Sequence, residues 1–233
     1  LKSSTIRSPP RRLFWCLSVG VPVILLLPTR CVALADSSVE RCGSEKIMSA
    51  YDFFPKHMAS GGFLPHPSKN ARPKPKEGQE SVWDFPRPPV CKKAEGREVV
   101  VKFGETLIAK TKNAWRMMET SHPPTWYIPK EDVNMQYLQP SNSIKTTCEF
   151  KGQAVYYDVK MGSAGARMTA WEYPIPADDQ KCIKGKLAFY INKGLDAWVD
   201  GDKAKPQEGD FYGGWITKDV VGPFKGGPGT RFW

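Results

Sequence analysis

The chain has 233 residues, 40% of them hydrophobic and 25% charged, which fits a soluble globular protein of one or two domains. Twenty Gly and 21 Pro divide it into short elements and argue against long helices. The net charge of +10 gives no clear nucleic-acid footprint, because residues 1–35 carry Lys2, Arg7, Arg11, Arg12 and Arg30 without any acid, whereas residues 80–233 carry 22 bases and 19 acids.

Arg11 and Arg12 precede an apolar run from Leu13 to Leu27, Pro28 ends it, and Ala33 to Ala35 offer a small-x-small cleavage pattern. Residues 1–35 therefore read as a secretory signal peptide. The run is short for a spanning helix and holds Gly20 and Pro22, so a signal anchor is the second reading and a transit peptide preceded by a signal the third. A genuine leader implies a secretory or organellar protein that touches membrane only if the leader stays uncleaved. Translation from Met48 or Met58 would instead give a cytoplasmic protein. Residues 36–79 are rich in Pro, Gly and Lys and have no apolar period, the composition of a disordered linker. His57 and His66 fall in it and read as solvated.

From Glu80 the pattern becomes that of strands. "ESVWDFPRPP" reads as a short edge segment packing Trp83 and Phe85 inward. "EVVVKF" and "TLIAK" flank Gly104-Glu105 as a first hairpin, and "IKTTCEF" and "AVYYDVKM" flank "KGQ" as a second. "RMTAWEYP" is a further strand, and "KLAFYIN" and "LDAWVDG" suggest a third hairpin around Lys193-Gly194. Helix signals are limited to "PKEDVNMQYL" and "PADDQKCIK", both short. The glycine-rich C-terminus is expected to wrap back and pack Phe211, Trp215, Phe224 and Trp233 on the β-core. Such recurring short strands indicate a mostly β fold with one or two short helices.

Cys16 and Cys31 lie in the leader, Cys42 in the linker, and Cys91, Cys148 and Cys182 in the body. No C-x-x-C occurs, so no metal ligand is assigned. In a secreted chain Cys42, Cys91, Cys148 and Cys182 could pair in ways the sequence does not specify; in a cytosolic one the three body cysteines read as buried small hydrophobes.

The ordered motifs "ESVWDFPRPP", "ETSHPPTWYIP", "CEFKGQAVYYDV", "AWEYPIP", "DFYGGW" and "GPFKGGPGT" resemble domain-of-unknown-function family 427 over residues 80–233. The resemblance implies a compact β-tent-like domain of antiparallel sheets. Some β-tent relatives hold a structural zinc through two cysteine pairs, which this sequence lacks. The family also carries a nucleotidyltransferase-like label, and the resemblance supplies no cofactor.

A nucleotidyltransferase needs a Gly-Ser turn for the triphosphate and two nearby carboxylates for Mg²⁺. Here Gly162-Ser163 stands 37 residues before Asp200 of "DGD", and Asp200-Gly201-Asp202 reads first as a turn. Lys225 among glycines could cradle a phosphate, but without P-loop spacing the run reads first as a close backbone wrap. Tyr156 and Tyr157 point to opposite sheet faces, and Lys151 at a turn reads as solvated.

His122, the only histidine after residue 80, is held extended by Pro123. "ETSHPPTWYIP" is expected first to be a structural corner and second the wall of a ligand site. Two function classes follow. One is a ligand-binding module for a small molecule, with an aromatic pocket of Trp83, His122, Tyr127, Trp171 and Trp215. The other is an enzyme acting on nucleotides through His122, Glu149, Lys151 and Lys225, which requires those four to converge within hydrogen-bond reach of one cavity.

Overall fold

The computed structural model describes residues 64–142 and 145–233. The leader and most of the linker lie outside the described residues.

The alternating run at Val99 becomes β3 (Val99–Phe103), which turns at Gly104 and Glu105 into β4 (Thr106–Thr111). β12 (Leu195–Val199) pairs antiparallel on the other side of β3, and β13 (Asp202–Lys203) completes a four-stranded sheet ordered β13-β12-β3-β4. The larger sheet is built from β2 (Val90–Lys93), β5 (Trp115–Met118), β6 (Thr125–Pro129), β11 (Lys186–Phe189), β10 (Ala164–Glu172), β9 (Gly152–Met161) and β7 (Leu138–Pro140) in that order, and β8 (Thr146–Cys148) also pairs with β9. Two short ribbons remain. β1 (Glu80–Ser81) runs parallel to β16 (Val220–Val221), and β14 (Lys205–Pro206) runs antiparallel to β15 (Trp215–Ile216). The fold is mostly β, with antiparallel pairing in both large sheets, as the sequence pattern indicates.

Successive side chains of a strand point to opposite faces, and the large sheet buries both of its faces. Trp126, Ile128, Leu187, Phe189 and Ala170 join Val99, Val101, Leu195, Val199 and Trp215 in the main core. Their neighbours in sequence, Tyr127, Ala188, Tyr190 and Trp171, join Tyr156, Tyr173 and Ile183 in a second, aromatic cluster. Each large apolar side chain withdrawn in this way contributes about 1.5–3 kcal/mol. Tyr156 belongs to the second cluster and Tyr157 packs on the main core, as alternation requires. Val82, Trp83, Phe85, Met118 and Val220 form a third cluster, capped by Phe224 and Trp233.

Two expectations are corrected. β11 and β12 do not form a hairpin: β11 is central in the large sheet between β6 and β10, whereas β12 belongs to the small sheet. Lys193 and Gly194 connect sheets, and an apolar run reads the same in either arrangement. Phe211 is 53% exposed, while Trp215, Phe224 and Trp233 do pack inward. The helix signals become short 3-10 turns at Lys130–Asp132, Met135–Tyr137 and Asp178–Ile183. The segment before β1 is tied to the C-terminal segment at its ends: Leu64 N–H donates to the Gly229 carbonyl, Trp233 Nε1–H donates to that of Leu64, and Gln79 Nε2–H donates to the Lys218 carbonyl.

Candidate functional site

Between β5 and β6 the chain turns through Glu119–Pro124. His122 N–H donates to the Glu119 carbonyl at 3.0 Å, and Ser121 adopts a left-handed φ of 68°. The chain from Glu119 to His122 is therefore a tight turn, which returns the histidine towards Glu119. Three remote segments are fastened to this corner. Ser121 N–H donates to the Val82 carbonyl, Lys225 N–H donates to the Ser121 carbonyl, and Trp215 N–H donates to the Pro124 carbonyl. "DFYGGW" can approach because it lacks side chains where it crosses. A Cβ on Gly213 would lie 2.2 Å from Trp171 Cη2, and one on Gly214 would lie 2.4 Å from the Pro123 carbonyl oxygen.

Gln207 organises the polar centre. It is 2% exposed, yet its amide is fully engaged. Its Oε1 accepts from Gly214 N–H at 3.1 Å, and its Nε2 donates to the Lys225 carbonyl at 2.7 Å. Those two backbone partners fix which end of the amide is nitrogen. The remaining Nε2–H then points at His122 Nδ1, 3.1 Å away, which must accept. His122 is thereby a neutral imidazole with its proton on Nε2. Burial and the neighbouring Lys225 and Lys151 ammonium groups lower its pKa to about 4 against the pull of Glu119.

Around this imidazole the charges interlock. Lys151 Nζ lies 3.2 Å from Glu119 Oε2, with the side chains only 12% and 15% exposed. The Lys151 ammonium holds the Glu119 carboxyl below its usual range, in spite of its burial. Arg87 pairs with Glu149 at 3.2 Å on the outer side. Tyr212 sets its ring edge-to-face against His122, with centroids 4.6 Å apart, and lies 5.2 Å from Lys225 Nζ. Lys225 is only 8% exposed, and no carboxylate among the described residues comes within 4.0 Å of its Nζ. Burial, with Arg87 nearby, lowers its pKa, while Glu119 and Glu149 attract the ammonium from further away.

His122, Glu149, Lys151 and Lys225 thus lie on one side of the domain, where Lys151 and Lys225 act on His122 and Glu149 acts on Lys225, but among the described residues no hydrogen bond or ion pair joins any two of the four. Lys151 is not solvated at its turn; Glu119 draws it in. The five aromatic candidates do not share one wall. Trp215 lies in the main core, Tyr127 and Trp171 meet in the second cluster, and Trp83 lies in the third. Gly162-Ser163 is the exposed turn between β9 and β10. Asp200 and Asp202 flank the turn between β12 and β13, where Asp200 pairs with Arg97 and Asp202 with Lys218. The Lys225 run passes close to other backbone: a Cβ on Gly226 would lie 2.4 Å from the Glu208 carbonyl oxygen. Sequence reasoning missed Gln207, because nothing local in "KPQEGD" distinguishes a buried glutamine from a solvated one.

Two surface clefts lie elsewhere. One, of about 240 Å³, is lined by residues that include Lys92, Lys93, Arg97 and Arg116; the other, of about 350 Å³, by residues that include Asp202, Lys205 and Thr217. None of the five aromatic candidates lines either. Among the described residues no three His, Cys, Asp or Glu side chains gather as metal ligands would.

Fold and corner together define a mostly β domain with a half-buried, cation-rich polar centre. The sequence profile of the family described as Domain of unknown function (DUF427) matches residues 91–201, and over this part the chain is similar to that family. The match takes in β2 through the turn at Asp200, including His122, Glu149 and Lys151; Gln207, Tyr212 and Lys225 lie beyond it. No curated protein matches the chain.

Proposed function

We propose that the domain is a ligand-binding module whose site is the His122 corner and whose ligand is a small anion. The observation that carries this is Lys225, an ammonium 8% exposed with no carboxylate among the described residues within 4.0 Å. A buried charge is costly unless it is paired, and a bound anion would supply the missing charge. His122 supports the same reading. Its Nδ1 is occupied by Gln207, so Nε2–H is the group free to donate to an acceptor. Tyr212, packed on both, offers an aromatic surface for the body of the ligand.

The second reading is an enzyme acting on nucleotides through His122, Glu149, Lys151 and Lys225, supported only by the electrostatic influence of Lys151 and Lys225 on His122 and of Glu149 on Lys225. A histidine with a pKa of about 4 is a weak general base at neutral pH. In that reading it donates a hydrogen bond and the lysines hold the charge.

Thermal shift of the full chain tests both, with inorganic phosphate, benzoate, and nucleoside mono- and triphosphates with and without Mg²⁺. A ligand at 100 times its Kd stabilises the native state by about 2.7 kcal/mol. An anion that raises the melting temperature of wild type but not of Lys225→Met supports the module. Turnover of a bound nucleotide would move the conclusion to the enzyme. If no anion shifts wild type, or if Lys225→Met responds equally, the anion site is wrong.

A further inference from the structure

Cys91 and Cys182 are 91 positions apart in sequence but neighbours in space. Cys91 lies on β2, the edge strand of the large sheet, and Cys182 lies in the 3-10 turn Asp178–Ile183 that packs against it. The turn is clamped to the chain just before β2 by a buried hydrogen bond, in which Gln180 Nε2–H donates to the Pro89 carbonyl at 3.0 Å. The clamp packs the turn against β2, with Cys182 Sγ 3.7 Å from the Gln180 carbonyl and the two thiols near enough to influence one another. Both side chains are partly exposed, both are unpaired thiols, and both border the aromatic cluster. An edge strand and a short turn can close the remaining distance more readily than two central strands, because fewer ladder bonds and packed neighbours resist the movement.

We propose that Cys91 and Cys182 are a reversible dithiol–disulfide pair, oxidised by exchange with a low-molecular-weight disulfide such as glutathione disulfide. In the first step one cysteine thiolate attacks a glutathione sulfur, forms a mixed disulfide and expels one glutathione thiolate. In the second, the other cysteine thiolate attacks the protein sulfur of that mixed disulfide and expels the second glutathione thiolate. Two protein thiols are oxidised, one glutathione disulfide is reduced to two thiols, and the two protons pass to the leaving thiolates. Burial and the contact with Cys182 push the Cys91 thiol up, so Cys91 is a poor first nucleophile. Cys148, beside Lys151 at 3.9 Å, serves as the internal comparison.

The test incubates the reduced full chain with glutathione disulfide at pH 8, quenches with iodoacetamide and maps proteolytic peptides by mass. The expected product is a Cys91–Cys182 linked peptide that dithiothreitol reverses, with two glutathione thiols released per link. Cys182→Ser should give no link at Cys91, and Cys91→Ser no link at Cys182. In guanidinium the preference for this pair should vanish, which ties it to the fold. The proposal is overturned if the folded chain carries separate glutathione adducts on Cys91 and Cys182, if both stay unmodified while Cys148 reacts, or if links to Cys148 form as often as the 91–182 link.

Discussion

Gln207 Nε2 donates to His122 Nδ1 at 3.1 Å, and the same amide nitrogen donates to the Lys225 carbonyl. One glutamine therefore fixes both the tautomer of the histidine and the position of the lysine backbone, across 85 residues in one direction and 18 in the other. The tautomer follows from hydrogen-bond chemistry, since an amide NH₂ can only donate. Nitrogen NMR of the imidazole should show an unprotonated Nδ1 and a protonated Nε2, with no titration between pH 8 and pH 5. A protonated Nδ1, or a midpoint above pH 6, would refute the arrangement. Gln207→Leu should release the tautomer and leave Gly214 N–H and the Lys225 carbonyl unpaired, each a loss of about 1–3 kcal/mol.

The histidine also sets a pH dependence. Its folded pKa of about 4 lies below the ordinary 6.5, so between those values the unfolded chain binds the proton and the folded chain does not. Stability from this group is complete above pH 6.5 and is lost as pH falls towards 4, by about 3 kcal/mol in total. Glu119, and Asp219, which accepts from Thr217 and pairs with Arg97, are held below their usual carboxyl range, so their contributions are lost in a more acid window, as pH falls through their folded pKa values. Urea unfolding at pH 7.5 and 4.5 should show most of the His122 loss in wild type. His122→Gln, which cannot titrate, should show a flatter profile over that interval. Equal slopes would mean that the imidazole is not held neutral.

The sheets could be read from the sequence where strand period and turn residues coincide. Val99–Phe103 and Thr106–Thr111 around Gly104, and Thr146–Cys148 beside Gly152–Met161, are local pairings. The separation of β11 from β12 could not be read, because both are short apolar runs and only packing assigns them to different sheets. The same division holds at the site. His122 and its prolines stand out in the sequence, and so does Lys225 among glycines. Gln207, Tyr212 and Arg87 reach the site through chain crossings, and their own neighbours in sequence carry no sign of it. The aromatic candidates illustrate the opposite error. Tyr127 and Trp215 are conspicuous as residue types, but at 1% and 0% exposure they are core.

Gly213 tests whether the C-terminal segment is fitted closely to the aromatic cluster. A methyl group there would meet Trp171 Cη2 at 2.2 Å and Tyr190 Cε1 at 3.1 Å. Trp171 and Tyr190 already pack against each other, with ring centroids 4.3 Å apart, so neither can retreat freely. Gly213→Ala should destabilise the fold by about 1–3 kcal/mol through overpacking. It should also change the near-ultraviolet circular dichroism of the tryptophans. Wild-type stability in this variant would mean that the segment lies further from the cluster.

The Glu119–Lys151 pair is nearly buried, so breaking it from one side should cost more than removing it whole. Glu119→Gln leaves the Lys151 ammonium beside His122 with its counter-ion gone, at a cost of about 3–5 kcal/mol. Lys151→Met strands the Glu119 carboxylate and should cost a comparable amount. The double variant should be less destabilised than the sum of the two, with a coupling energy of about 1–3 kcal/mol in a denaturation cycle. Additive losses would show that the two side chains are separately solvated.

Lys225 should behave in the opposite way. Its ammonium is buried, lies near Arg87 and has no carboxylate partner at ion-pair distance, so the folded state bears a desolvation cost that the unfolded chain escapes. Lys225→Met keeps the length and the apolar stem of the side chain and removes the charge. Without ligand it should be as stable as wild type or more so, by about 1 kcal/mol, because replacing a poorly compensated buried charge with an apolar group is often favourable. A stabilising substitution that also abolishes anion-induced thermal shift would mark a residue whose charge serves binding at the expense of folding. Marked destabilisation would show instead that the ammonium is paired in solution, and the case for an anion at this corner would lose its main support.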